Sequence, residues 1–555
     1  MTATDHHPSN HKARMGNRPD IVLIVADDMG FSDLGCYGGE ADTPCLDALG
    51  RRGTRFSQFY NSPRCSPSRA SLLTGQYPHS VGVGILNFDD TPEGYPGNLS
   101  GSSVTIPEAL SQSGYVTYMS GKWHIASDMY QPSSAWPTRR GFDHFFGTLD
   151  GAASYYRPHT LTRGEENSEA EAAQDADFYY TDAIAGNAVG FIEDHAANRA
   201  DEPMFLYVPF TAPHWPLHAR EEDIAKYRGR FDQGWDQLRQ QRLQRLRREG
   251  LIDADAALSA RDPQVPAWDE AEHKDWEVRR MEVYAAQIDR LDQGVQRIVD
   301  SMTQHRDFAN TLFIFVSDNG GCAEEMPADA VEDFVTGFGL PLPETTKSGQ
   351  PVVVGSRPDV MPGGEDTYQS YGRSWANLSN TPFREYKHWV HEGGISAPFI
   401  VHWPDGFHGG DICHDPSHLP DVLPTILDAA GATYPIRASN GEPAPALEGH
   451  SLVPMLREND GGAWQDMERY LFWEHEGNAG VRRGRWKLVR KYGLDWELYD
   501  IDTDRAEACD RAAEHPELVR EMAEQYHRWA ERCGVVPREK VLALYAERGH
   551  ALPEG

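Results

Sequence analysis

The sequence predicts an α/β protein: a large, mixed but mostly parallel β-sheet sandwiched by helices, followed by a smaller C-terminal α+β domain built on an antiparallel sheet. Three observations predict it. Short apolar runs, IVLIVADD (21–28), YVTYMSGKWH (115–124), MFLYVPFTAPH (204–214), TLFIFVSDNG (311–320) and APFIVHWP (397–404), each stop abruptly at polar residues. Between them lie amphipathic patterns such as TIPEALSQSG, FYYTDAIAGNAVGFIEDH and YAAQIDRLDQGVQRIVDSM. Strands apolar on both faces, alternating with amphipathic helices, pack as a parallel sheet covered on both sides. After about residue 440 the pattern changes to short β-like pieces, RYLFWEHE, AGVRRGRWKLVR and WELYDI, and then to a helix near 515–532.

The expected organisation is a disordered leader over 1–17, a catalytic domain over 18–440 and a C-terminal subdomain over 441–555. With 555 residues, 39% hydrophobic and 10% aromatic, the chain can bury a large core. The acidic stretch 164–177 and the Pro/Gly-rich stretch from about 326 to 372 read as long loops. The first apolar run is about six residues long, follows a polar leader and ends in two aspartates, which is neither a signal peptide nor a membrane span. A cytoplasmic protein is the expectation, and its seven cysteines, which include no C-x-x-C, need not be paired. A net charge of −33 argues against nucleic acid as a partner. The one basic run, Arg239 to Arg248, reads as a solvated helix in a surface insertion.

In a parallel α/β sheet, ligands sit beyond the carboxyl ends of the strands. Asp27, Asp28, Lys122, His124, His214, Asp318 and Asn319 all fall at or just after such ends, so segments remote in sequence are expected to share one cleft. Asp27-Asp28 or Asp318-Asn319 alone reads as a turn or a helix cap. Two pairs of hard oxygen donors, each following an apolar strand, read together as a metal site, and the lack of a cysteine cluster argues against zinc. Cys65-Ser-Pro-Ser-Arg69-Ala-Ser-Leu-Leu-Thr-Gly75 stands apart from the other cysteines. Pro67 suits a first helical turn, which puts Cys65 at a positive helix N-terminus and Arg69 one turn inward. In isolation Cys65 reads as a buried or merely reactive thiol.

The full string resembles the C-x-P-x-R signature of the type I, formylglycine-dependent sulfatases, which belong to the alkaline phosphatase superfamily; HWPLHAREEDIAKYRGRFDQGWDQLR looks most like bacterial arylsulfatases. Gly121-Lys122-Trp123-His124 is similar to the family's G-K-W-H element, and N-T-P-F-R with H-E-G-G brackets Lys387 as in the family. The resemblance implies an alkaline phosphatase-like fold. It also implies a formylglycine made from Cys65 by a maturation enzyme, whose hydrated aldehyde attacks sulfur with one hydroxyl and expels sulfate through the other. One calcium, with magnesium or manganese as alternatives, would be held by Asp27, Asp28, Asp318, Asn319 and the oxygen at position 65. Lys122 and Lys387 would grip the sulfate and Arg69 would help activate the nucleophile. Asp318 would accept its proton, His214 would face the leaving oxygen and His124 would assist sulfate elimination. His218 matches no catalytic position. The expected substrate is a small-molecule or carbohydrate sulfate ester, with no nucleic acid and no membrane as partner. Two alternatives remain: a phosphonate monoester or phosphodiester hydrolase of the same superfamily, and a non-catalytic anion-binding protein with unmodified Cys65.

Overall fold

The computed structural model describes residues 18–326, 328, 342–458 and 469–548. The leader expected over 1–17 lies outside the described residues, as does part of the loop expected from 326 to 372.

The central sheet has ten strands. Across the sheet they run Asp411–Cys413, Thr54–Phe56, Phe399–His402, Thr311–Ser317, Asp20–Ala26, Met204–Pro209, Val116–Ser120, His144–Thr148, Leu161–Arg163 and Glu166–Asn167. The five strands from Thr311–Ser317 to His144–Thr148 are joined by four parallel pairings, and antiparallel pairings occur only toward the two edges. Strand Asp20–Ala26 shows why the sequence reads as an unbroken apolar run. Ile21, Leu23 and Val25 enter the core on one face, with Leu72, Leu423 and Ile426. Val22, Ile24 and Ala26 enter the core on the other, with Ile184, Ile288 and Leu291. Both faces are buried, so the two-residue period of a strand has no polar side to show.

The C-terminal sheet is a four-stranded antiparallel meander of Tyr470–His475, Asn478–Arg483, Trp486–Arg490 and Glu497–Asp500. Helix Pro516–Cys533 lays Met522, Tyr526 and Trp529 on Ala479, Val481, Leu488 and Leu498 of this sheet. A second helix, Arg538–Arg548, follows that the sequence pattern did not suggest. Lys487, fully buried, bridges Glu392 of the H-E-G-G segment and Glu507 at 2.8 and 2.9 Å, which ties the small sheet to the large one. The division expected near residue 440 falls in the irregular stretch between helices Val422–Ala430 and Val453–Glu458.

Two readings are corrected. The acidic stretch 164–177 is not a plain loop: it makes a hairpin of Leu161–Arg163 with Glu166–Asn167 and then a short helix, Glu169–Gln174. The basic run is helical, Gly234–Glu249, but it is not wholly solvated. Arg242 is 1% exposed and pairs with Asp33 at 2.7 Å and Glu40 at 2.5 Å, while Arg239 is buried against Ser259. Charge spacing along a helix does not reveal that acids from elsewhere will cover it.

Candidate active site

The parallel register pairs Ala26 with Ser317 across the two central strands. The chain therefore leaves both strands at one level, and Asp27, Asp28, Asp318 and Asn319 emerge together, all buried. Asp28 has φ +66°, a left-handed backbone that non-glycine residues rarely adopt outside constrained sites. Its N–H donates to Asp318 Oδ1 at 3.2 Å, and Asn319 Nδ2 donates to Asp28 Oδ1 at 2.7 Å.

Helix Cys65–Thr74 brings in the motif cysteine. Arg64 is extended, Pro67 sits in the first turn where its missing N–H costs nothing, and Gly75 ends the helix in the left-handed conformation, φ +65°. The motif's closing glycine is thus a helix stop. Arg69, one turn in and 0% exposed, donates through Nε and Nη2 to Asp318 Oδ2 at 3.1 and 2.8 Å and through Nη1 to Lys122 O at 3.0 Å. In this arrangement Arg69 holds the carboxylate and the lysine segment in place.

The remaining cations lie over the acids. Lys122 Nζ donates to Asp27 Oδ2 at 2.5 Å. Lys387 Nζ donates to Asp28 Oδ2 at 2.9 Å and to His214 Nε2 at 3.4 Å. His214 Nδ1 lies 2.6 Å from the Trp215 carbonyl. A carbonyl can only accept, so the hydrogen is assigned to Nδ1 and leaves Nε2 as the acceptor toward Lys387. His124 Nδ1 stands 3.4 Å from Cys65 Sγ. Strand Val116–Ser120 ends before Gly121, so the G-K-W-H residues are irregular chain beyond the strand rather than its last residues. A cavity of about 380 Å³ opens over this floor, and Cys65, His124, His214 and Lys387 line it. Lys122, Arg69 and Asp318 are buried and do not line it.

Charge in the site follows from burial set against these pairs. Burial opposes ionisation of Asp27, but Lys122, His214, Arg69 and Lys387 together outweigh it and hold the carboxyl well below the usual range. Burial and the neighbouring Asp27 charge push Asp318 up to about 7 against Arg69 and Lys122. Burial raises the Cys65 thiol despite Lys122 and Lys387, and lowers both His124 and His214.

A cation suits the acid cluster. Asp27 Oδ1 and Asn319 Oδ1 are buried with no hydrogen-bond partner, two acceptors of hard oxygen character. Asp27, Asp28 and His214 also bring ligand atoms within 4.8 Å of one another. Because Nε2 of His214 already accepts from Lys387, the oxygen set is the better description of the site.

All ten predicted residues, Asp27, Asp28, Cys65, Arg69, Lys122, His124, His214, Asp318, Asn319 and Lys387, are thus brought into one cleft. Glu324 was not foreseen. It accepts from Arg64 Nη1 at 2.5 Å and from Trp215 Nε1 at 3.2 Å, joining the residue before Cys65 to the residue after His214. No local pattern marks such a residue, since its partners lie 260 and 109 positions away.

An α/β sheet that gathers carboxylates for a cation and lysines for an anion at its strand ends defines a hydrolase of anionic esters. The sulfatase family profile matches residues 19–432, and the N-sulphoglucosamine sulphohydrolase C-terminal profile matches 384–531. The chain belongs to the sulfatase family and is a sulfuric ester hydrolase. An uncharacterized sulfatase of Schizosaccharomyces pombe is 31% identical over 95% of this chain and 96% of its own. An arylsulfatase of Klebsiella aerogenes is 31% identical over 80% of this chain and 91% of its own. Among solved structures, Ps i-CgsB in complex with k-i-k-neocarrahexaose superposes with a TM-score of 0.66 at 23% identity, over 97% of this chain and 98% of that one. That likeness bears on the fold.

Proposed function

We propose that this sulfatase hydrolyses sulfate monoesters, of aryl or carbohydrate alcohols, with a formylglycine derived from Cys65. The observation that carries the reading is the position of Cys65: it opens a buried helix, lies 3.4 Å from His124, and lines the cavity together with His124, His214 and Lys387. A hydrated formylglycine there supplies a nucleophilic hydroxyl and a second one that lets sulfate leave. Asp27, Asp28, Asp318 and Asn319 would hold calcium, which supplies positive charge for the sulfate oxygens.

The chain's own residues do the rest. Lys387 is placed to bind sulfate oxygens from the cavity wall, and Lys122 supplies positive charge from below. Arg69 orients Asp318, the acceptor for the nucleophile's proton. His214 faces the ester's leaving oxygen, while His124, beside residue 65, serves the elimination of sulfate. Fixed charges arranged in advance around a dry site are the main source of acceleration.

Two measurements test this. Peptide mass across residue 65 should show an aldehyde or its hydrate in active protein, and full turnover by protein with only cysteine there would refute the mechanism. Rates on matched sulfate, phosphate and phosphonate esters should favour sulfate; a preference for the phosphorus esters would assign the chain the phosphohydrolase chemistry instead.

A further inference from the structure

We propose that the alcohol half of the substrate carries no anion of its own: it is uncharged or cationic and presents an apolar face. This rests on the sulfate monoester reading, and it follows from the two halves of the cavity having opposite character. The floor is built to hold one anion. Asp89, Asp128 and the buried Asp150 also line the cavity. Asp89 and Asp128 are exposed, in the path of an entering substrate.

No cation on the wall offsets them among the described residues. Lys387, paired with Asp28, is assigned to the ester's own sulfate, and Arg64 is paired with Glu324 at 2.5 Å. Arg548, over the Phe88 ring, is paired with Asp90. His159 pairs with Asp150 at 2.6 Å without lining the cavity. A second sulfate or a carboxylate on the alcohol would therefore meet Asp89 and Asp128 with no cation of the wall to pair with it, on a chain whose overall charge is −33.

The apolar contribution comes from Phe88, Trp215 and Tyr130, which also line the cavity. Tyr130 is 59% exposed. Aromatic faces between carboxylates suit a ring or hydrocarbon face, and they favour an ammonium group through its attraction to the ring quadrupole.

The experiment uses the matured enzyme and three aryl sulfates made from 4-alkylphenols, whose side arm ends in methyl, carboxylate or trimethylammonium. The alkyl spacer keeps the phenol pKa similar, so leaving-group chemistry does not separate them. At low ionic strength kcat/KM should be on the order of tenfold lower for the carboxylate arm than for the methyl arm, and at least as high for the trimethylammonium arm as for the methyl. Added salt should shrink the gap, and so should Asp89→Asn combined with Asp128→Asn. Equal or faster turnover of the carboxylate ester would overturn the proposal, as would a gap that neither salt nor the double variant changes. The salt series needs no variant, so a misfolded double variant would not spare the proposal. Failure to hydrolyse any of the three, with phosphorus esters turned over, would instead sink the sulfatase reading beneath it.

Discussion

Lys122 Nζ lies 2.5 Å from Asp27 Oδ2, with both side chains fully out of solvent. Removing Lys122 leaves the buried Asp27 carboxylate with Arg69 at 3.5 Å, and breaking a buried pair costs about 3–5 kcal/mol. A cation at the Asp27–Asn319 cluster would compensate the same carboxylate. Lys122→Ala is therefore expected to be strongly destabilised in chelator and much less so with calcium in excess. Denaturant unfolding of wild type and variant, each with chelator and with calcium, measures this difference directly. An equal deficit in both conditions would show that no cation reaches Asp27.

Glu324 ties Arg64 to Trp215, whose ring stands 4.5 Å from that of His214. It touches no reacting atom and is a positioning residue. Glu324→Gln keeps the volume and an acceptor for the indole but loses the ion pair. It should lower kcat roughly ten- to hundredfold, because small displacements of reacting groups are costly, with a smaller change in KM. Trp215→Phe, which removes the indole N–H, should give a similar loss, and the double variant should be less impaired than the product of the two. Independent, multiplying losses would mean that Glu324 does not act through Trp215.

The strands and the site were legible in the sequence because their cause is local. An apolar run that stops at Asp27-Asp28 or Asp318-Asn319 shows both the strand and the place where it ends, and a shared parallel register then makes the two ends meet. Tertiary pairing left no such mark. The spacing around Arg242 gave no sign that Asp33 and Glu40 would cover it, and nothing near Glu324 indicated Arg64 or Trp215. The same holds for Lys122: the G-K-W-H string put it near the sulfate, whereas its contact with Asp27 depends on how two strands sit side by side.

Buried histidines far from the site set part of the acid sensitivity. His402 is 4% exposed, packed beside Phe308 and Phe313, and burial, with Arg52 adding to it, depresses its pKa to about 4. The unfolded chain protonates such a histidine near pH 6.5, before the folded one does. The fold therefore loses stability as pH falls from about 6.5 to about 4, by on the order of 3 kcal/mol from this residue. His402→Phe removes the titration within an aromatic setting. Its stability relative to wild type should rise by that order between pH 7 and pH 4, as read from denaturant unfolding at each pH. A difference independent of pH would show that His402 is not held neutral.

His214 offers the sharpest test of the chemistry. Its Nε2 is 3.4 Å from both Asp28 Oδ2 and Lys387 Nζ, and the Trp215 carbonyl fixes the ring through Nδ1. A group that faces the departing oxygen matters in proportion to the charge that oxygen must carry. Nitrophenol leaves almost unaided, whereas an alkyl alcohol needs its charge neutralised in the transition state. His214→Ala should then slow alkyl sulfates far more than nitrophenyl sulfate, and so steepen the dependence of kcat/KM on leaving-group pKa. Lys387→Ala gives the contrast. That lysine is assigned to sulfate oxygens, which every substrate shares, so its loss should lower kcat/KM by a similar factor along the whole series. A uniform loss in His214→Ala would move the histidine to the sulfate side of the site, and the group that meets the leaving oxygen would have to be sought among the others lining the cavity.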